Sequence, residues 1–199
     1  DFARKVHPQL NNTSNVVSML PTAHMYGMMF EFLFEMCVGA QVHFLTRVPS
    51  PKIIMEAFAE IKPDIIIAVP LIIEKIYKKK LQPIINKTAI RVLLRLPVVD
   101  QKIQKKILAE LVNTFGGKFK EVIVGGAAFN KDAEAFFRKI GFPFTVGYGM
   151  TECAPIIAYA PWDETRLYSC GKATPGMEIK IDSSDPVNIP GEILCKGKN

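Results

Sequence analysis

The ten residues VGYGMTECAP, Val146 to Pro155, gather in one short run the groups that a nucleotide and its metal require. Tyr148, held between Gly147 and Gly149, offers a ring for stacking on another ring. Thr151 offers a hydroxyl to a phosphate oxygen, and Glu152 offers oxygen to a hard cation such as Mg²⁺, which usually travels with nucleotide phosphates. A second run, VGGAAF, has the same plan. There Gly125, Gly126, Ala127 and Ala128 remove side-chain bulk, so that backbone can approach a flat or charged ligand. A structural alternative stands beside the chemical one: a strand ends, glycines turn the chain, and Thr151 and Glu152 cap the next element. No G-x-G-x-x-G opens a helix and no Walker sequence is present, so any nucleotide is held by another arrangement.

The elements that must position these runs are legible around them. NVVSML (15–20), QVHFLT (41–46), DIIIAV (64–69), EVIVGG (121–126) and PFTV (143–146) read as strands, several of them unbroken apolar runs of the kind covered on both faces of a sheet. Between them the spacing predicts helices. One runs from Met25 to Val38 and is stopped by Gly39; its Glu31 and Glu35 share one face, while Met28, Met29, Phe32, Leu33 and Met36 fill the others, so it reads as buried on most of its surface. A second starts at Pro51 under a Ser50 cap and carries Ile54, Phe58 and Ile61. Pro70 opens a third, Asp100 onward gives an amphipathic fourth with Ile103, Ile107, Leu108 and Leu111, and a fifth lies between an Asn130 cap and Gly141. Alternation of this kind predicts an α/β fold, a mostly parallel sheet flanked by helices, in which both glycine turns lie at one carboxyl edge. After Thr151 the pattern changes, and GMEIKI (176–181) and GEILCKG (191–197) predict the start of a small antiparallel β unit.

The bulk composition narrows the function classes. The chain has 199 residues, 49% hydrophobic and 22% charged, a globular balance. The longest apolar run, Ile65 to Ile73, has nine residues with a proline inside it, against about 20 for a membrane span. The first residues are polar and charged, unlike a signal peptide. Four cysteines, Cys37, Cys153, Cys170 and Cys195, are far apart in sequence and make no C-x-x-C pair, which argues against a metal site or a disulfide framework and for a cytoplasmic setting. None of the three histidines is tied to Cys153 by a motif, so no nucleophile is assigned there. Of the +6 net charge, the excess sits between Glu74 and Lys120, where twelve Lys/Arg face three Asp/Glu. That segment reads first as a solvated helical face, and second as an attraction for phosphate, from a soluble cofactor or from anionic lipid heads. Its interleaved side chains are aliphatic rather than aromatic, which argues against nucleic acid.

LPTAHMYG, VGGAAF, VGYGMTECAP, GKATPGMEIKI and GEILCKG, in that order and at these spacings, resemble the adenylate-forming superfamily of acyl-CoA synthetases, luciferases and peptide-synthetase adenylation domains. Within it, AVPLIIEKIYKK with its basic helical continuation is most similar to long-chain fatty acyl-CoA synthetases. The resemblance implies that residues 1–165 are the central part of the α/β AMP-binding domain and that 166–199 begin its β subdomain. It implies ATP, Mg²⁺ and coenzyme A as cofactor and co-substrates, and a long-chain fatty acid as the acid. It implies Glu152 as the magnesium ligand, Thr151 as a phosphate contact, and Tyr148 against adenine, with Gly147 and Gly149 giving access. Gly125, Gly126, Ala127 and Ala128 would form a wall shared by adenine and acyl chain, and His24 would stand by the carboxylate, where a capping or core histidine is the plainer expectation. The family's phosphate loop is expected upstream of Val16, and its ribose-binding aspartate and catalytic-lysine domain beyond Asn199, so the chain alone is expected to be inactive. Two other readings stay open: a synthetase for shorter or aromatic acids, and a non-catalytic module meeting lipid through residues 74–120 at the membrane periphery.

Overall fold

The computed structural model describes residues 2–85 and 97–199. β1 (Asn15–Ser18) pairs in parallel with β2 (Gln41–Phe44), and β3 (Ile65–Ala68), β4 (Glu121–Val124) and β5 (Phe144–Val146) form a parallel ribbon in that order. Asp64 joins the two ribbons. Its N–H donates to Asn15 O and its carboxylate accepts the Asn15 N–H, both at 2.8 Å. Lys118 Nζ stands 3.0 Å from the same carboxylate. All four residues of β3 and of β4 are buried, as expected for parallel strands covered on both faces.

The helices start and stop where local chemistry dictates. The Ser50 hydroxyl accepts the Ile53 N–H at 3.4 Å to open α3 (Pro51–Ile61), whose Ile54 and Phe58 enter the core before Lys62, at φ +54°, ends it. Asn130 Oδ1 accepts the Ala133 N–H at 3.0 Å to open α6 (Lys131–Ile140), and Gly141 closes it at φ +72°. Acidic Asp132 and Glu134 lie in its first turn, basic Arg138 and Lys139 in its last, complementing the helix dipole. α1 (Phe2–Val6) packs Phe2 and Val6 against the core, and α5 (Pro97–Thr114) buries Ile107 and Leu111 on the face that the spacing predicts. α4 begins at Pro70–Ile76 and passes through a π-wound stretch, Tyr77–Leu81, into Gln82–Ile85. Residues 86–96 of the basic segment lie outside the described residues. Phe115, Phe137, Phe142 and Phe144, all fully buried, fill the space under α6 with ring centroids 5.2 to 6.4 Å apart.

Two expectations are corrected. α2 is one continuous helix in three windings, Met25–Gly27, a π-helical Met28–Leu33 and Phe34–Val38, with Gly39 as its stop. Tyr26, Phe30, Phe34 and Val38 pack against the core, but its acidic residues go inward with them. Glu31 and Glu35 are 0% exposed, whereas Leu33 is 40% and Met36 60% exposed. The reason is the end of β1, where Glu31 Oε2 accepts the Ser18 hydroxyl and the Met19 and Leu20 N–H groups at 2.8 to 3.2 Å. Those donors have no strand partner and draw the carboxylate inward. Second, antiparallel structure begins earlier than the sequence pattern suggests. β6 (Tyr148–Gly149), β7 (Ile156–Tyr159) and β8 (Lys172–Ala173) form a small sheet straight after the second glycine turn. The expected hairpin comes after it as β9 (Glu178–Asp182) and β10 (Glu192–Lys196).

Candidate active site

The parallel ladder runs one residue past the strand ends. Gly125 N donates to Ala68 O at 3.1 Å and Gly147 N to Val124 O at 2.9 Å, which puts both glycine turns at the same carboxyl edge. Two clefts open there. The larger, about 650 Å³, runs beneath α2 along the face of Ile65, Ile67 and Ile123, from Gly125, Gly147 and Thr151 at the edge to α1 and Tyr159. The smaller, about 420 Å³, is bounded by Gly126, Ala127, Ala128, Lys131, Glu134 and Tyr168. Gly126, Gly147, Tyr148 and Gly149 line both. Both volumes fall in the size range of small-molecule sites, roughly 300–1,000 Å³.

The glycines differ in what demands them. Gly126 has φ +86°, a left-handed conformation that favours glycine. A Cβ on Gly125 would stand 3.0 Å from the Tyr26 ring. One on Gly149 would collide with the Pro155 carbonyl oxygen where β6 meets β7, so the protein's own strand pairing requires that glycine. At Gly147 the nearest neighbour would be Ile156 Cδ1 at 3.6 Å, an ordinary contact. Its bareness serves the open edge rather than internal packing.

His24 does two things. It caps α2, its Nδ1 accepting the Tyr26 N–H at 3.2 Å, and it stands exposed on the rim of the larger cleft. With Nδ1 engaged as acceptor, the neutral ring carries its proton on Nε2 and presents a donor. Thr151 also lines the larger cleft, from a 3₁₀ turn over Thr151–Cys153 that Ala154 closes at φ +49°. Glu152 is exposed and lines neither cleft. Among the described residues no group of three His, Cys, Asp or Glu is placed to hold a metal ion. A single exposed carboxylate suits Mg²⁺ that arrives on phosphates, since that ion keeps several waters and takes only one or two carboxylates.

Tyr26 is a site residue without a chemical signal of its own in the sequence, although it sits in the LPTAHMYG block. Its hydroxyl donates toward Ile123 O at 3.1 Å, with Ala68 O at 3.4 Å, so the ring spans the ends of β3 and β4 inside the larger cleft. At the far end Tyr159 OH donates to Glu121 Oε2 at 2.6 Å and receives His7 Nε2 at 3.1 Å. The hydroxyl proton is committed to Glu121, so His7 is the donor. Burial pushes His7 down to about 4 and Glu121 up to about 7. Burial likewise raises Glu31 to about 7, and raises Glu35, beside the charge of Glu31, to about 8.

Residues 2–199 match the family described as AMP-binding enzyme. Long-chain-fatty-acid–CoA ligase 2 of Schizosaccharomyces pombe is 27% identical, over 98% of this chain and 33% of its own length. Long-chain-fatty-acid–CoA ligase 1 of Saccharomyces cerevisiae is also 27% identical, over 96% of this chain and 30% of its own. The chain therefore spans about a third of the length of the curated relatives it matches. Among solved structures, a benzoate CoA ligase from Burkholderia xenovorans superposes with a TM-score of 0.69 at 16% identity, covering 98% of this chain and 35% of that one. o-Succinylbenzoate CoA synthetase from Bacillus subtilis, in complex with ATP and magnesium ion, superposes at 0.63 and 21% identity, covering 96% of this chain and 34% of that one. At these identities the structural likeness is one of fold.

Proposed function

The chain belongs to the AMP-binding enzyme family, and from that premise we propose that it is the central part of an ATP-dependent acid–thiol ligase that activates long-chain fatty acids. The observation that carries the acyl assignment is the larger cleft. It continues from the glycine edge beneath α2 to Ile65, at the start of β3, which is about 10 Å of strand from Ala68. Its floor is aliphatic, as a hydrocarbon chain requires.

In this reading the acid's carboxylate attacks the α-phosphorus of ATP, pyrophosphate leaves, and the coenzyme A sulfur then attacks the acyl carbon and releases AMP. Tyr148 stacks on adenine, and Gly126, Ala127 and Ala128 leave room for it in the smaller cleft. His24 Nε2–H orients the carboxylate at the mouth of the larger one. The Thr151 hydroxyl donates to a phosphate oxygen, and Glu152 holds magnesium. Magnesium, when bound, offsets negative charge gathering on the phosphoryl oxygens. The exposed lysines of the basic segment, Lys75, Lys78 and Lys79 among them, would favour the phosphate-rich surface of a membrane from which such acids are drawn.

The test is ATP–pyrophosphate exchange by the full-length protein with palmitate and with benzoate. Palmitate is expected to drive exchange and benzoate to fail; the reverse preference overturns the long-chain reading. Glu152→Gln is expected to lower exchange about 100-fold or more with the melting temperature unchanged, and unaltered exchange would remove Glu152 from the site.

A further inference from the structure

Cys153 and Cys195 are 42 residues apart in sequence, yet their sulfurs stand 3.6 Å from one another. Cys153 is buried at the end of the Thr151–Cys153 turn and Cys195 is half-buried on β10. They meet in a small apolar cluster with Ile157 and Met177, separate from the main core, against which Tyr148 and Met150 rest. Both thiols are free.

We propose that Cys153 and Cys195 are a reversible oxidation site, a dithiol that closes to a disulfide and fastens the Thr151–Glu152 turn to the β9–β10 hairpin. A disulfide needs the sulfurs at about 2.0 Å, so they must approach by roughly 1.6 Å. β10 pairs only with β9 among the described strands, and Asn199, just past its end, donates to Cys153 O and Ile156 O, so the two segments are held side by side and only a local shift of the sulfurs is needed. The two partners are unequal in access. Cys195, the more exposed, attacks hydrogen peroxide as its thiolate, breaking the O–O bond to give a sulfenic acid and hydroxide, which takes a proton to become water. The Cys153 sulfur then attacks the sulfenic sulfur; the S–O bond breaks, the Cys153 proton leaves with the departing oxygen, and a second water is formed. The net change is two thiols and one peroxide giving one disulfide and two waters, reversed by a dithiol reductant. Cys37 and Cys170 lie elsewhere, on the walls of the larger and smaller clefts respectively.

The experiment treats the full chain with a small excess of hydrogen peroxide, counts free thiols, and maps peptides without reduction. The expected result is the loss of two free thiols, a linked peptide joining Cys153 to Cys195, and recovery of both thiols with dithiothreitol. Cys37→Ser/Cys170→Ser, which spares the pair, is expected to keep the linkage; Cys195→Val is expected to lose it. The proposal is overturned if the linked peptide is absent from the unsubstituted chain while Cys195 runs on to the sulfinic acid, or if the disulfide found involves Cys37 or Cys170. None of these readouts depends on ligase activity, so they stand or fall apart from the proposed function.

Discussion

Glu35 has both carboxylate oxygens buried and without a hydrogen-bond partner among the described residues, and Glu31 lies one helical turn away. Two carboxylates so placed resist sharing negative charge, and the fold keeps protons that the unfolded chain would release. Glu31, Glu35 and Glu121 have folded values of about 7, 8 and 7 against roughly 4.3 for free glutamate. A raised acid binds more protons in the folded state, so its stabilising contribution is complete below the unfolded value and is lost as pH climbs through the folded one. His7, depressed to about 4, works the other way, but only below its free value of roughly 6.5. Between about pH 6.5 and 8.5 the carboxyls dominate, and stability is expected to fall by on the order of 3 kcal/mol. Urea unfolding at several pH values checks this. Glu35→Gln, which keeps the shape and removes the titration, should flatten that slope; an unchanged slope would mean that Glu35 is ionised throughout.

At the scale of elements, the two glycines around Tyr148 make separable predictions. Gly149→Ala forces β7 away from β6 and is expected to cost about 2 kcal/mol or more, a melting temperature lower by roughly 4–8 °C for a chain of this size. Gly147→Ala meets only an ordinary contact and should leave melting within about 1 °C; an equal loss at both positions would mean that the edge is packed more tightly than its geometry indicates. The same scale explains what the sequence can and cannot convey. Caps at Ser50 and Asn130, the stops at Gly39 and Gly141, and the buried run of β3 are all legible because each is decided by neighbours in the chain. The facing of α2 is not. Hydropathy sends Glu31 to water, and the Ser18 hydroxyl together with the unpaired amides of Met19 and Leu20, eleven to thirteen residues away, brings it inside. β7 is hidden for a related reason: IIAY becomes a strand by pairing with the two residues Tyr148 and Gly149 across a turn. In the site, the run 147–151 is legible from residue type, whereas Tyr26 takes its place through contacts with β3 and β4, 42 and 97 residues away.

For the molecule as a whole, about a third of the relatives' length is here organised as a carboxyl edge with two clefts and the exposed Glu152 carboxylate beyond them. The 199 residues by themselves are expected to give no ATP–pyrophosphate exchange above background, while the full-length protein does. Exchange by the chain alone, dependent on palmitate, would show that these clefts and Glu152 suffice for the first half-reaction.

Tyr148 lines both clefts, which makes its ring a party wall between two rooms. An occupant of one room that moved this ring would be felt in the other, and by thermodynamic reciprocity any resulting change in affinity would be the same factor in either direction.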